Sequence, residues 1–368
     1  LAAHASKVYL HPEGAVLLEG LSRYRTFFKG AFDKLGVEPR LFRVGEFKSA
    51  GEPYIRTDMS PEAREADLYW MGDLWQRYLA DVARLRKLDP AKLAAEIDAL
   101  DSLVKAANGD LARMALEQGL VDELKTRDQV RAELIAAGAE DPESKSFRQI
   151  GVEEYVAAVE MREPDNGTDR VAIVVAEGEI TSGDQPPGTV GGDSTAKLIR
   201  QAREDEKVKA LVLRVDSPGG EVFPSELIRR EVELTKESGK PVVISMGDLA
   251  ASGGYWISMN GDRIIASPST ITGSIGIFGL WFNVPQTMAK LGLNPDGSST
   301  TWVAGAVQPT RPYDPRLGAV IQSVIDRGYL QFIGKVAAAR GKQPAEIDTI
   351  ARGRVWSGAQ AMERGLVD

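Results

Sequence analysis

Cysteine is absent from the 368 residues, and histidine occurs only twice, as His4 and His11. The first absence removes thiol catalysis, disulfides and thiolate metal sites together. The second leaves a Ser-His-Asp triad almost without candidates. No apolar run approaches the roughly 20 residues of a membrane-spanning helix, and no signal peptide is visible. Excess positive charge is missing too: 45 Lys and Arg stand against 53 Asp and Glu, a formal net charge of −8 with the signs interspersed. Nucleic acid is therefore not an expected partner, and no metal or cofactor is expected. What is present is a hydrophobic fraction of 43%, ordinary for a globular protein, and enough chain for two or three domains.

The opening LAAHASKVYLHPEG reads like the middle of a domain. Comparing the chain with itself explains why. At an offset of 256, VYLHPEG (8–14) falls on IIASPST (264–270), Lys34-Leu35-Gly36 on Lys290-Leu291-Gly292, and Pro39 on Pro295. At an offset of 254, Val82, Arg86 and Pro90 match Val336, Arg340 and Pro344. The tetrapeptide GLVD at 119–122 recurs at 365–368. The expectation is an internal duplication, with 1–122 the later part of one repeat and about 168–368 a whole second one. On that reading the first repeat is truncated at its N-terminus, and any targeting segment lies outside the chain. The expected domains are 1–138, a linker at 139–169, and 170–368.

Taken in order, 1–20 predicts two short strands around a turn. A helix is expected at about 24–35, stopping at Gly36, then a strand at the start of RLFRVGEFKSAGEP (40–53), with Lys48 among small residues. Ser60-Pro61-Glu62 opens a long helix to about residue 87, and two further helices run to about 137. Polar stretches at 139–147 and 162–169 mark the linker, with Asn166-Gly167-Thr168 read as a turn. In the second repeat RVAIVVAEGEI (170–180) and VKALVLRVD (208–216) read as buried strands. Helices are expected at 194–206 and 224–238, and PVVIS (241–245) as a third strand. Strands and helices alternating at this spacing predict βαβ units around a largely parallel sheet, an α/β fold.

Sites in such sheets collect at the carboxyl ends of strands. Two small-residue loops fall there: SPGG (217–220) and the Ala250-Ala251-Ser252-Gly253-Gly254 stretch. Each alone also reads as an ordinary turn or packing joint. Together they offer a serine on a strand-to-helix turn and two loops whose N–H groups could hold one oxyanion. With histidine scarce, a lysine of lowered pKa is the available base. Lys48 is a candidate because it aligns with Ala304 in the second repeat, so one copy could supply the base and the other the nucleophile. Glu46 and Glu52 would raise its pKa if they faced it.

GEFKSAGEPYIRTDMSPEAREAD (45–67), RVDSPGGEV (214–222), MGDLAASGGYWIS (246–258) and PSTITGSIGIFG (268–279) resemble the signal peptide peptidase A (protease IV) family in its long Gram-negative form. The resemblance spans essentially the whole chain. It implies a duplicated crotonase-like fold, related to the Clp protease subunit, and a serine endopeptidase with a Ser–Lys dyad. Carried over by motif, Ser252 is the nucleophile, Lys48 the general base, and Ser274 the group that orients the lysine amine. Gly253 with Gly219 or Gly220 would form the oxyanion hole, Gly219 being favoured. The family further implies a homotetramer at the bacterial cytoplasmic membrane, facing the periplasm. It would be anchored by a segment absent from this chain and would degrade signal-peptide remnants. Two other classes share parts of this pattern. A crotonase-type acyl-CoA hydratase or isomerase would rely on carboxylates and a CoA pocket. An oligomeric scaffold would have lost the dyad.

Overall fold

A computed structural model describes residues 1–160 and 169–368, for Glu160 the backbone alone. The expected turn at Asn166-Gly167-Thr168 lies outside the described residues. The chain forms two compact units, Leu1–Ser22 with Gly72–Gly167, and Arg23–Met71 with Thr168–Asp368. The segment around Lys48 thus belongs to the same unit as the serine stretch.

That larger unit is built on a six-stranded sheet. Its strands run in the order Val355–Ser357, Ile271–Gly273, Val242–Ala251, Val208–Ser217, Arg170–Glu177, and Arg263–Ile265 pairs with the first half of Val242–Ala251. All pairings are parallel except that of Val355–Ser357. The α/β expectation of βαβ units holds, because Gly192–Glu204 and Val222–Glu237 are crossover helices between parallel strands. Leu211, Leu213, Val215, Val242 and Ile244 are fully buried, and each contributes roughly 1.5–3 kcal/mol by leaving water. The central strand continues six residues past the expected PVVIS, up to the serine itself. Its pairing to Val208–Ser217 shifts register between Met246 and Ala250. The Asp216 carboxylate accepts from Leu249 N there, so the irregularity leaves that N–H satisfied.

The segment Arg23–Met71 is tied into this unit by a second, antiparallel pairing of Glu38–Arg43 with Phe278–Asn283, in which Arg43 lies opposite Phe278. Phe28, Phe32, Tyr54 and Phe282 form an aromatic cluster beside it, with centroids 5.7 to 6.3 Å apart. The helix before the strand spans only Lys29–Leu35, shorter than expected, and ends at Gly36 with φ 79°. Residues 24–28 are irregular instead, and Phe28 N donates to the Pro53 carbonyl.

The smaller unit departs more from expectation. Tyr9–Leu10 is a strand paired in parallel with Glu123–Leu124, and the second strand expected before residue 20 is absent. Four helices, not two, follow the long helix Pro61–Arg86 before residue 138: Pro90–Asp98, Leu100–Ala106, Leu111–Glu117 and Arg127–Ala137. Side chains that cap helix starts cut one pattern into several pieces: Asp89 accepts from Ala91 N and Asp110 from Arg113 N. The polar stretch after 138 contains a small antiparallel pair, Glu140–Asp141 with Ser146–Phe147, and then the helix Val152–Glu160. Among the described residues, no helix is long and apolar enough to cross a membrane.

Candidate active site

Ser252 stands between the end of the central strand and the short helix Gly253–Ser258. Its φ of 56° and ψ of −117° are unusual for a residue with a side chain. Such strain persists only where neighbours enforce it. Here Ser252 N donates to Gly273 O, and the next turn is locked because Ser274 N donates to Arg354 O. The result is a sharp elbow that exposes the hydroxyl at the carboxyl edge of the sheet.

The antiparallel pairing of Glu38–Arg43 with Phe278–Asn283 delivers Lys48 to this elbow. Lys48 Nζ lies 3.1 Å from Ser252 Oγ and donates to the carbonyl and the hydroxyl of Ser274, each at 3.0 Å. Lys48 is 6% exposed. Gly353 packs against its stem at φ 80°, and a Cβ there would lie 2.6 Å from Lys48 Cβ. Burial pushes the amine down to about 8, the loss of hydration disfavouring the ammonium form. The nearby carboxylates do not oppose this shift, because both are engaged elsewhere. Glu52 accepts from Arg43 Nη1 at 3.2 Å and Ser60 Oγ at 2.7 Å, and Glu46 pairs with Arg352 at 3.5 Å.

The SPGG turn reaches the same place. Ile180 N donates to Gly219 O, Glu221 N donates to Ile180 O, and the Ser217 hydroxyl donates to Gly178 O. Gly219 N donates to Ser217 Oγ at 3.1 Å, so that N–H is already used inside the turn. No hydrogen bond from Gly220 N or Gly253 N is found among the described residues. These two glycines touch: a Cβ on Gly253 would lie 3.0 Å from Gly220 N. The sequence favoured Gly219 over Gly220, and nothing local in SPGG distinguishes them. The difference comes from the Ser217 side chain.

Lys48, Ser252, Ser274, Gly219 and Gly220 all line one cleft of about 560 Å³. A smaller cavity of about 70 Å³ opens beside Ser252 and Gly253, walled by Val222, Trp256, Ile277 and Phe332. Sequence reading missed the groups that hold the lysine: Arg43 Nη1 donates to both Lys48 O and the buried Glu52 carboxylate. An Arg and a Glu nine residues apart carry no local signal for that. No cluster of three or more His, Asp or Glu fit to hold a metal occurs among the described residues.

A profile of peptidase family S49 matches residues 1–139 and 235–368. The chain belongs to peptidase family S49. Two matched segments accord with the doubled sequence pattern. Over the full chain it is 44% identical to Protease 4 of Salmonella typhi, 38% to Protease 4 of Haemophilus influenzae, and 29% to the chloroplastic serine protease SPPA of Arabidopsis thaliana. It spans 59%, 60% and 54% of those relatives.

Proposed function

We propose that this S49 chain hydrolyses peptides through Ser252 and Lys48. The observation that carries the reading is a buried lysine amine, its pKa pushed down to about 8, lying 3.1 Å from a serine hydroxyl on a strained elbow. A pKa near 8 leaves roughly a tenth of the amine neutral at pH 7, enough for a general base. Neutral Nζ takes the Ser252 proton while donating to Ser274, which fixes its orientation. Oγ attacks the scissile carbonyl carbon, and the Gly220 and Gly253 N–H groups hold the oxyanion. The ammonium then gives its proton to the leaving amine, and water activated by the same amine releases the acyl group. The 70 Å³ cavity, with Val222, Trp256, Ile277 and Phe332 on its wall beside Ser225 and Lys48, has room for a small side chain next to the cleaved bond.

In this reading the substrates are extended apolar peptides such as signal-peptide remnants. The protein acts as a homotetramer at the cytoplasmic membrane, its sites facing the periplasm. The family resemblance read from the sequence motifs supports these points, and the relatives' names support the peptidase activity alone. Labelling with a fluorophosphonate probe and mapping the modified peptide tests the chemistry. Label on Ser252 that is lost in Lys48→Ala is expected; label elsewhere, or label indifferent to Lys48, would overturn it.

A further inference from the structure

Two arginines on the Lys48 side of the cleft have no part in the chemistry above. Arg23 Nη1 donates to Asp67 Oδ1 at 2.7 Å. Arg25 Nη1 donates to the carbonyl of Ser49 at 3.0 Å and to its hydroxyl at 3.3 Å, Ser49 being the residue after Lys48. Arg25 Nη2 lies 4.0 Å from Asp67 Oδ2, an ion pair without a hydrogen bond, and Oδ2 is buried with none. No hydrogen bond from Arg25 Nε or Nη2 is found among the described residues. Two guanidinium groups therefore share one carboxylate, leaving one positive charge in excess.

The remaining carboxylates do not neutralise it. Glu52 is engaged by Arg43 and Ser60, and Glu65 by Arg354. Glu179 and Glu221 line the cleft from the SPGG side, where Glu221 accepts from the Ser182 hydroxyl at 2.5 Å. Arg25 is half-buried, with 17% of its side chain exposed. Its pKa is lowered by that burial and by the charge of Arg23, against the smaller opposing pull of Asp67 and Glu52. A desolvated guanidinium with unused donors on a cleft wall is matched by the planar, two-pronged acceptor geometry of a carboxylate.

We infer that Arg23 and Arg25 form an anion subsite that binds a carboxylate of the peptide in the cleft. The inference rests on the peptidase reading and adds a specificity to it. Glu179 and Glu221 on the facing wall repel the same group, so the cleft fixes which way an acidic peptide lies. The carboxylate comes either from an Asp or Glu side chain or from the peptide's own C-terminus.

Fluorogenic peptides separate these sources. One series replaces Gln by Glu at successive positions on both sides of the cleaved bond, and another compares a free C-terminal acid with its amide. Each is measured on the wild-type chain, on the double variant Arg23→Gln/Arg25→Gln, and on Arg25→Lys. For the wild type, one carboxylate position is expected to raise kcat/KM about tenfold over its neutral match, mostly through KM, as a charge-assisted pair allows. That ratio should fall toward one in the double variant, persist in part in Arg25→Lys, which keeps charge without the fork, and shrink with added salt. A Glu/Gln effect identifies a side chain as the source, and an acid/amide effect the chain end. A wild-type ratio within about twofold throughout, or a double variant with the wild-type ratio, overturns the subsite while leaving the peptidase reading intact. If circular dichroism shows the double variant misfolded, Arg25→Lys and the salt dependence decide. If the wild type cuts no peptide, the peptidase reading fails. Fluorescence anisotropy of labelled acidic and neutral peptides then judges the subsite: preference for the acidic one upholds it and equal binding removes it.

Discussion

Arg86 and Arg340 stand in the same surroundings in the two units. Arg86 Nε donates to Gly119 O, and both its Nη groups reach the Asp122 carboxylate. Arg340 does the same with Gly365 and Asp368. Asp122 accepts from Val8 N at 2.7 Å and Asp368 from Ile264 N at 2.8 Å. In return Asp122 N donates to Val8 O and Asp368 N to Ile264 O. The GLVD tetrapeptide and the 256-residue offset thus correspond to one physical clamp, made twice. The surroundings of Lys48 are not repeated. Its counterpart Ala304 is exposed on the short helix Trp302–Ala306, and the counterpart of the strand Glu38–Arg43, residues 294–299, has no strand. A bidentate arginine clamp holds a frame and tolerates little change, whereas loops at strand ends can diverge, which is how one copy would come to carry the proposed base and the other the proposed nucleophile.

The largest expected effect tests that division. Ser252→Ala and Lys48→Ala should each lower kcat for peptide hydrolysis by about 10⁴-fold or more, as loss of a nucleophile or its base does. Placing lysine at Ala304 in the Lys48→Ala background should restore nothing. Rescue there would show the two copies to be interchangeable and break the comparison.

Next in size is the stability carried by the Lys48 amine. Its folded pKa of about 8 lies below the ordinary 10.5, so between those values the unfolded chain binds one more proton and stability rises with pH. Below pH 8 the folded state bears the full penalty, about 3 kcal/mol before the lost hydrogen bonds to Ser274 are counted. Lys48→Met should therefore be more stable than wild type at pH 7 in urea denaturation, and the gain should fade as pH approaches 10.5. The same titration sets the rate: kcat/KM should climb with pH and level off above about 8. A profile flat from pH 6 to 10 would contradict it.

Breaking the clamps should act more evenly. Arg86→Ala and Arg340→Ala should each cost about 2 kcal/mol, the loss of a charge-assisted pair with a carboxylate left partly exposed. Guanidinium melts read this, and similar losses are expected. Labelling of Ser252 should suffer only in Arg340→Ala, whose clamp lies in the unit that holds Lys48 and Ser252. The smallest effect belongs to Ser274→Ala, about tenfold in kcat, because the Ser274 carbonyl still accepts from Lys48 after the hydroxyl is gone. A loss as large as that of Lys48→Ala would give the hydroxyl a greater part than orientation.

The helix expected from residue 24 hid the arginine pair. Tyr24, Phe27, Phe28 and Phe32 fit a helical spacing, yet the chain stays irregular until Lys29 because Phe28 and Phe32 stack with Tyr54 and Phe28 N is taken by Pro53 O. Arg23 and Arg25 therefore lie on a cleft wall where a helical reading gave no reason to look. The helices after Arg86 were undercounted for a local reason, since Asp89 and Asp110 act as N-caps within what reads as one continuous polar-apolar pattern.

Alternating buried strands and helices, the two glycine-bearing loops at strand ends, the serine elbow and the doubled GLVD frame were all settled by residue order. The strands, helices and glycine loops show in the sequence through local residue choice or periodicity along one element. The doubled frame shows through the recurrence of GLVD, although its clamps close over long stretches of chain, as from Val8 to Asp122. The meeting of Lys48 with Ser252, across 204 residues of chain, belongs to the fold alone. So do the drying-out of the amine, the engagement of Gly219 in place of Gly220, and the placing of two arginines around one aspartate. Desolvation and hydrogen-bond competition depend on which surfaces are pressed together, and only the packed chain decides that.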